Sequence, residues 1–238
     1  MKIFISAPFG NYIKRKGCVS VTGTWTLNPR GNRLLAIIKS LRYSKELEGW
    51  TNRLGLPNPG IDVGMDKLRS GEVLSIASTT QTEFKELNTL IPRSMNLEIN
   101  LSCPNIHGLD AEELEWDSAG TFINDVREWC IAKVSPLTTL KELIYLIDMI
   151  GFRQIHVSNT LPVRSVGGLS GKSLIPHTKG LIKTIRGVWK DDIEIIAGGG
   201  IDSIGTVTEY MNEGANHVSI GSLCFNPFKL NKLLKIIT

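Results

Sequence analysis

Residues 96–105 read Asn-Leu-Glu-Ile-Asn-Leu-Ser-Cys-Pro-Asn, a strand pattern that runs directly into a turn. The segment Leu97–Leu101 is short and mostly apolar, as a strand buried on both faces should be, and Pro104 and Asn105 favour a turn. If the strand belongs to a parallel barrel, the loop after it lies at the active-site end. Cys103 would then exchange a proton with little help, since a free thiol has a pKa of about 8.5. Alone, the motif fits a buried structural cysteine equally well.

The strand pattern recurs eight times along the chain. The predicted strands are Ile3–Ala7, Val19–Thr22, Val73–Ala77, Leu97–Leu101, Cys130–Val134, Ile155–Ser158, Ile193–Ala197 and His217–Ile220. Stripes of helical period separate the later strands; they begin at Phe84, Phe122, Leu137, Leu181 and Ile204, and a last helix begins near Pro227. Strands that alternate with helices imply a parallel sheet, and eight strands are enough to close a barrel. We therefore predict an α/β fold, a (β/α)₈ TIM barrel, with an open sheet of six to eight strands as the alternative.

The length favours one domain over residues 1–238, because an α/β barrel needs about 250 residues. The stretch from Gly23 to Gly71 is rich in Gly, Pro, Asn and Arg and has only one helical patch, Leu34–Leu41. Such a long and weakly periodic stretch between barrel strands predicts functional loops.

Composition excludes several classes of function. The net charge of +4 is spread along the chain, so no nucleic-acid partner is expected. No segment approaches 18 consecutive apolar residues, which argues against a membrane span. The four cysteines form neither Cys-x-x-Cys pairs nor zinc spacings, so we expect no metal and a reduced, cytoplasmic location. The apolar run at the start is too short for a signal peptide.

Two glycine turns follow the last two predicted strands, at Gly198-Gly199-Gly200 and at Gly221-Ser222. Each precedes a helix, and backbone N–H groups in such turns approach a phosphate closely. Ordinary turn glycines are the alternative. Lys133 lies near the end of an apolar strand, where a charge needs a partner.

Together these motifs resemble the dihydroorotate dehydrogenase family, and they occur in the family's order between about Val19 and Phe225. The matching segments are the Asn-Leu-Ser-Cys-Pro-Asn signature, Asn52–Asn58, Ser75–Ala77, Ala132–Val134, Ser158–Thr160, Gly167–Gly171, Ala197–Ile201 and Ile220–Ser222. A cysteine in the signature resembles the cytosolic class of the family.

The resemblance implies an oxidoreductase that uses FMN to oxidise dihydroorotate to orotate in pyrimidine biosynthesis. Cys103 would remove a proton from the substrate while N5 of FMN accepts a hydride. It implies that the pyrimidine is bound by Asn52, Gly55, Leu56, Asn100, Asn105, Asn159 and Thr160. It implies that the cofactor is bound by Ser6, Ala7, Thr22, Gly23, Asn100, Lys133, Ser158, Gly171, Gly199, Gly200, Gly221 and Ser222.

The chain departs from the family pattern in ways that make it a shortened and divergent member. Thr22-Gly23-Thr24 stands where the family has Thr-Lys-Ser or Thr-Lys-Thr, so a substrate-anchoring lysine is missing. The candidates that would compensate are Arg30, Arg33, Arg53 and Arg164. Asn11–Gly17 replaces a first helix, the loop between Thr160 and Gly167 is short, and an N-terminal capping hairpin is lacking. Apolar surface left by these losses would favour a homodimer.

Two other functions remain open at this point. A tRNA dihydrouridine synthase-like reductase also combines a barrel, FMN and a loop cysteine, although its motif reads closer to Asn-x-Gly-Cys-Pro. The other is a degenerate barrel that binds flavin or pyrimidine without turnover, which Gly23 favours and the intact Cys103 disfavours.

Overall fold

Eight parallel strands close into a barrel in the computed structural model, which describes residues 1–80, 82–101, 116–163 and 167–238. The barrel strands are β1 (Ile3–Ile5), β2 (Cys18–Trp25), β5 (Val73–Ile76), β6 (Leu97–Asn100), β7 (Cys130–Val134), β8 (Gln154–Val157), β11 (Glu194–Gly198) and β12 (His217–Ile220), and β12 pairs with β1 to close the ring. The predicted (β/α)₈ TIM barrel is confirmed, and each predicted strand agrees with an observed one to within a few residues.

The barrel interior is built in layers because alternate residues of each strand point inward. The lower layer is mostly apolar and includes Phe4, Val21, Val73, Trp129, Ile131 and Ile196. Nearer the carboxyl ends of the strands the interior becomes polar. This upper layer contains Ser75, Glu98, Lys133, His156 and Ser219, all buried. The outward positions are mostly apolar and pack against the surrounding elements. Polar groups are therefore buried directly beneath the carboxyl end of the barrel.

Helices surround the barrel between most of its successive strands, among the residues that the structure describes. They are α1 (Arg33–Ser40), α2 (Ile61–Lys67), α3 (Glu83–Leu90), α4 (Leu140–Ile144, continued by a π-helical turn over Tyr145–Ile150), α5 (Ile175–Trp189), α6 (Ile204–Asn212) and α7 (Pro227–Ile237). Short 3₁₀ segments cover Phe9–Asn11, Trp116–Phe122, Lys172–Leu174 and Ser222–Phe225. Among these described elements, no helix is both long enough and apolar enough to cross a bilayer.

The helix predicted from the stripe that begins at Phe122 is wrong. The chain leaves a 3₁₀ helix at Phe122 and reaches β7 without a further helix. The side chain of Asn124 accepts hydrogen bonds from the backbone N–H groups of Val126 and Arg127, which offers the backbone a turn in place of a helix.

A second sheet lies outside the barrel, where functional loops were predicted. Its antiparallel order is β3 (Arg42–Ser44), β4 (Gly49–Asn52), β10 (Gly167–Gly171) and β9 (Leu161–Val163). Leu161–Val163, in the short connection after Thr160, thus pair with β10, and β10 pairs in turn with β4. Residues of β4 and β10 line the cavity at the carboxyl end of the barrel. The prediction of one helical patch between Gly23 and Gly71 was incomplete, since this stretch also contains two strands and α2.

The link between β1 and β2 confirms the expected loss of a first helix, since only the 3₁₀ turn Phe9–Asn11 lies there. This turn packs directly on β2: a Cβ atom on Gly10 would stand 2.1 Å from the carbonyl oxygen of Val21. Close packing of this kind explains the glycine without any contact to a ligand.

Candidate active site

A cavity of about 380 Å³ opens at the carboxyl ends of the barrel strands and is covered on one side by the second sheet. The sequence-predicted site residues that line it are Ser6, Ala7, Gly23, Asn52, Leu56, Asn100, Lys133, Ser158, Asn159, Thr160, Gly171, Gly199, Gly200, Gly221 and Ser222. They come from loops that are distant in sequence, and the barrel brings them together because parallel strands end at one face.

Two of the predicted site residues, Thr22 and Gly55, lie outside this cavity. The Thr22 hydroxyl donates to the carbonyl of Val73 and accepts from the indole N–H of Trp25, both at 3.4 Å. Gly55 lines a neighbouring cavity under the loop that follows β4. Cys103 and Asn105 lie outside the described residues, and so does Arg164.

Three asparagines bring amide groups to the cavity. The Nδ2 group of Asn159 donates to Oδ1 of Asn100 at 2.9 Å, and Oδ1 of Asn159 accepts from the backbone N–H of Thr160 at 2.8 Å. Asn52 approaches from the second sheet, where its Nδ2 group donates to the carbonyl of Gly168 at 3.4 Å. Amides offer both donors and acceptors, which suits the alternating N–H and C=O groups of a pyrimidine edge.

A buried charged cluster lies beneath the amides. Glu98 is fully buried, and its Oε1 atom lies 3.4 Å from the Lys133 ammonium, whereas its Oε2 atom lies 2.6 Å from Nδ1 of His156. Burial alone would raise the pKa of Glu98, but the Lys133 ammonium and the hydrogen bonds from His156 and Ser75 outweigh burial and hold that pKa at about 2. Burial, aided by the Lys133 charge, lowers the pKa of His156. The cluster therefore contains a carboxylate, an ammonium and a neutral imidazole that donates from Nδ1.

The glycine turn after β11 has backbone geometry that side chains would obstruct. Gly199 and Gly200 have φ angles of 93° and 70°, and a Cβ atom at either position would stand 2.7 Å from a neighbouring side chain. The buried hydroxyl of Tyr210 donates to the carbonyl of Gly199 at 2.6 Å, and that of Thr178 donates to the carbonyl of Gly198 at 2.8 Å. These contacts fix the turn in a shape that leaves its backbone accessible from the cavity.

The backbone conformation at position 23 explains why a glycine stands there, which the sequence alone did not show. Its φ angle is +107°, and a Cβ atom there would stand 2.4 Å from the carbonyl oxygen of Ser75. Asn11 holds the glycine from the other side, since its Oδ1 accepts from the N–H of Gly23 at 3.0 Å and its Nδ2 donates to the carbonyl at 3.2 Å. This backbone has no room for a lysine side chain at position 23.

One expected substitute for that lysine is directed elsewhere. Arg30 donates from Nε to the carbonyl of Gly55 at 3.3 Å and lines the neighbouring cavity, so it supports the loop after β4. Lys133 is the cation that the described residues bring to the main cavity.

An apolar wall of the cavity was missed by sequence reasoning. It is formed by Phe9, Tyr12, Ile37, Leu41, Trp50, Leu54 and Phe225, together with Pro8 and Pro57. Phe225 joins three segments, because its ring lies 4.9 Å from that of Phe9 and 4.4 Å from that of Trp50. No local pattern links these residues; aromatic residues next to the glycine turns were the available signal.

Within the described ranges, His, Cys, Asp and Glu side chains form no group of three that could hold a metal.

A closed parallel barrel with a cavity at the carboxyl ends of its strands, into which amide groups and an ammonium project, is the architecture of a TIM-barrel enzyme. Residues 12–237 match the family model described as dihydroorotate dehydrogenase. The chain therefore belongs to the dihydroorotate dehydrogenase family, and the predicted class, an oxidoreductase that acts on CH–CH donors, is confirmed.

Curated relatives agree with this assignment. The chain is 28% identical over 258 residues to the catalytic subunit of dihydroorotate dehydrogenase B (NAD(+)) from Desulforamulus reducens. The alignment covers 94% of this chain and 81% of that protein. It is 26% identical over 232 residues to the same subunit from Latilactobacillus sakei, at 82% and 74% coverage.

The fold is also shared with solved structures. The crystal structure of DHODH in complex with ferulenol from Eimeria tenella aligns with a TM-score of 0.73 at 20% identity, over 100% of this chain and 81% of the other. This likeness supports the barrel fold.

Proposed function

We propose that this chain oxidises dihydroorotate to orotate and uses FMN as the hydride acceptor. The observation that carries the proposal is the group of Asn52, Asn100 and Asn159 around one cavity, with the Lys133 ammonium beside them. Amides next to a buried cation suit a planar, polar heterocycle that must be held by its edge.

The size and the chemistry of the cavity support flavin mononucleotide as the cofactor. The cavity volume of about 380 Å³ lies within the range of small-molecule sites. The turns at Gly199-Gly200 and Gly221-Ser222 line the cavity and would offer backbone N–H groups to the flavin phosphate, which needs close approach without side chains. Lys133 would lie beside the ring and stabilise negative charge on its reduced form. When bound, FMN would supply the acceptor for two electrons and a proton taken together as hydride.

The chain's own residues would supply the other half of the reaction. Cys103 follows Asn100, the last residue of β6, by three residues in the sequence, and its role as the base is part of the proposal. As a thiolate it would take a proton from the saturated carbon next to a carbonyl, while hydride leaves the adjacent carbon and a C=C bond forms. The asparagines would hold the ring so that both C–H bonds face their acceptors.

The experiment is the visible spectrum of the purified protein, followed by anaerobic addition of dihydroorotate. We expect a flavin band that bleaches. Dihydrouracil, which lacks the carboxylate, is the matched comparison, because Gly23 leaves no side chain at the position of the family's lysine. A protein without a flavin band, even after incubation with FMN, would contradict the cofactor. A band that dihydrouracil bleaches and dihydroorotate does not would contradict the substrate.

A homodimer is a further part of the proposal. Leu35 and Ile38 on α1 are more than half exposed, and Phe228 on α7 is 86% exposed, so apolar side chains are left on the surface. Self-association would cover them, and sedimentation equilibrium that gives a clean monomer would contradict this. The cytoplasmic location stays a prediction.

A further inference from the structure

A chain of hydrogen bonds connects the charged cluster to the cavity. Ser75 donates from Oγ to Oε1 of Glu98 at 2.8 Å, and the hydroxyls of Ser75 and Thr24 lie 3.1 Å apart. Nδ2 of Asn100 donates to Oγ1 of Thr24 at 3.3 Å, and Oδ1 of Asn100 accepts from Asn159 at 2.9 Å. All five residues are buried or half-buried, and the path runs from the barrel interior to the wall of the cavity.

The carboxylate at one end determines which group donates and which accepts in each of these hydrogen bonds. An ionised carboxylate only accepts hydrogen bonds, so the single proton of the Ser75 hydroxyl must point to Glu98. Ser75 then accepts from Thr24, because a hydroxyl has one proton to donate. The Thr24 proton is thereby used, and Thr24 in turn must accept from its other neighbour. That neighbour is Asn100, whose amide nitrogen is consequently the group that faces Thr24.

Reversal of the Asn100 amide is therefore excluded by a charge two hydroxyls away. With nitrogen toward Thr24 and oxygen toward Asn159, the second N–H of the amide is what Asn100 can present to a ligand. An N–H group of Asn100 selects a carbonyl on the ligand. If the amide were reversed, its own oxygen would face the ligand carbonyl, and the two oxygens would repel each other.

Ordinary packing alone does not predict such a relay. Hydroxyls at positions 24 and 75 belong to different strands, and β2 and β5 carry them inward to the same layer. Glu98 reaches this layer from β6, and the Nδ1–H of His156 occupies its other oxygen. The carboxylate is thus held by donors on both sides, and only one of its oxygens faces the serine.

We propose that Glu98 is a positioning residue: acting through Ser75 and Thr24, it fixes the Asn100 amide so that this residue donates an N–H to the carbonyl of the bound pyrimidine or flavin. The inference rests on the proposed function for the identity of the ligand. The orientation itself depends only on residues of this chain.

The test uses two substitutions that break the series of hydrogen bonds from Glu98 to Asn100, which we call the relay, and one substitution that preserves it. Ser75→Ala removes the link without touching the cavity lining, Thr24→Val removes it with a side chain of the same shape, and Thr24→Ser keeps the hydroxyl. In ¹⁵N-labelled protein without flavin, the side-chain amide signals of Asn100 are identified by their loss in Asn100→Asp. We expect Ser75→Ala and Thr24→Val to move these signals alike and Thr24→Ser to leave them near their original positions.

The ligand-binding readout uses orotate titrated into the FMN-loaded protein, and FMN titrated into the flavin-free protein. If Asn100 no longer donates its hydrogen bond to the ligand, the dissociation constant for orotate or for FMN should rise about five- to tenfold. The double variant Ser75→Ala with Thr24→Val should be no weaker than the worse single variant, since both break one path. Thr206→Val, a buried threonine on α6, is the control and should change neither readout.

The outcomes separate the two proposals. A wild-type protein that retains no flavin would defeat the proposed function, while the amide signals would still decide the relay. Asn100 signals that stay in place in Ser75→Ala would overturn the relay, even in a protein that bleaches with dihydroorotate. Additive losses in the double variant would overturn it as well, because they would show two independent structural effects.

Discussion

Replacing Glu98 with glutamine should test whether the buried carboxylate is ionised. A carboxyl whose pKa falls from 4.5 to about 2 on folding favours the folded state by about 3 kcal/mol at neutral pH. Glu98→Gln removes that contribution and leaves the Lys133 ammonium buried with a neutral neighbour. We expect a loss of roughly 3 kcal/mol, which agrees with the cost of breaking a buried ion pair.

The difference between the two proteins should depend on pH in a defined direction. The folded-state pKa lies below the unfolded-state value, so the stabilisation by Glu98 is present above pH 4.5 and disappears as the pH falls toward 2. Glutamine does not titrate. The free-energy difference between wild type and Glu98→Gln should therefore be constant near neutrality and shrink toward zero within this window.

The assay is urea unfolding followed by tryptophan fluorescence, at neutral pH and at two values inside the window. Glu46→Gln, at an exposed site on the second sheet's turn, is the control and should change the free energy of unfolding by less than about 0.5 kcal/mol. A Glu98→Gln difference that is the same at all pH values would refute the reasoning, because it would show a neutral carboxyl in the folded protein.

Three further substitutions test separate parts of the site. Gly23→Ala should destabilise the protein by at least about 1–3 kcal/mol, since its φ is positive and the new Cβ would meet the carbonyl of Ser75 at 2.4 Å; unchanged thermal unfolding would contradict this. Tyr210→Phe removes the hydroxyl that donates to the carbonyl of Gly199, so FMN affinity should fall about fivefold by fluorescence titration, and equal affinity would argue against a flavin phosphate at this turn. Cys103→Ala should retain the flavin band but slow anaerobic bleaching by at least about a hundredfold, and an unchanged rate would remove the thiol as base.

The barrel was predictable because its strands are buried on both faces. Short apolar runs separated by helical stripes leave few alternative folds, and His217–Ile220 was predicted with its observed bounds. The second sheet was not predictable in the same way. Its strands have three to five residues and are mostly half-exposed, and Asn52 pairs with Gly168, 116 residues away. Pairing over such a distance leaves no local signal.

The site divides along a similar line. Glycines and asparagines after strands could be assigned because a barrel places every such loop at one face. Glu98 was not predicted as a site residue, although it lies in the segment 96–105, two residues before the Asn-Leu-Ser-Cys-Pro-Asn signature. The available signal was a charge within an apolar strand, which Glu98 shares with Lys133; His156, equally polar and buried, belongs to the same class. Their contacts follow from the register of β6, β7 and β8, which a sequence pattern does not fix.

Stability alone does not explain the charged layer inside the barrel. A buried ion pair is often no better than apolar residues of similar volume, because desolvation offsets the attraction between the charges. The layer directly below shows that this barrel packs well with Phe, Val and Ile. The charged layer adds two features. Lys133 places an ammonium at the cavity wall, and Glu98 balances that charge. Through Ser75 and Thr24, Glu98 also determines which group donates in each hydrogen bond on the way to Asn100. The alternation that makes each strand apolar on its outer face thus places a carboxylate one layer beneath the amides that would hold the substrate.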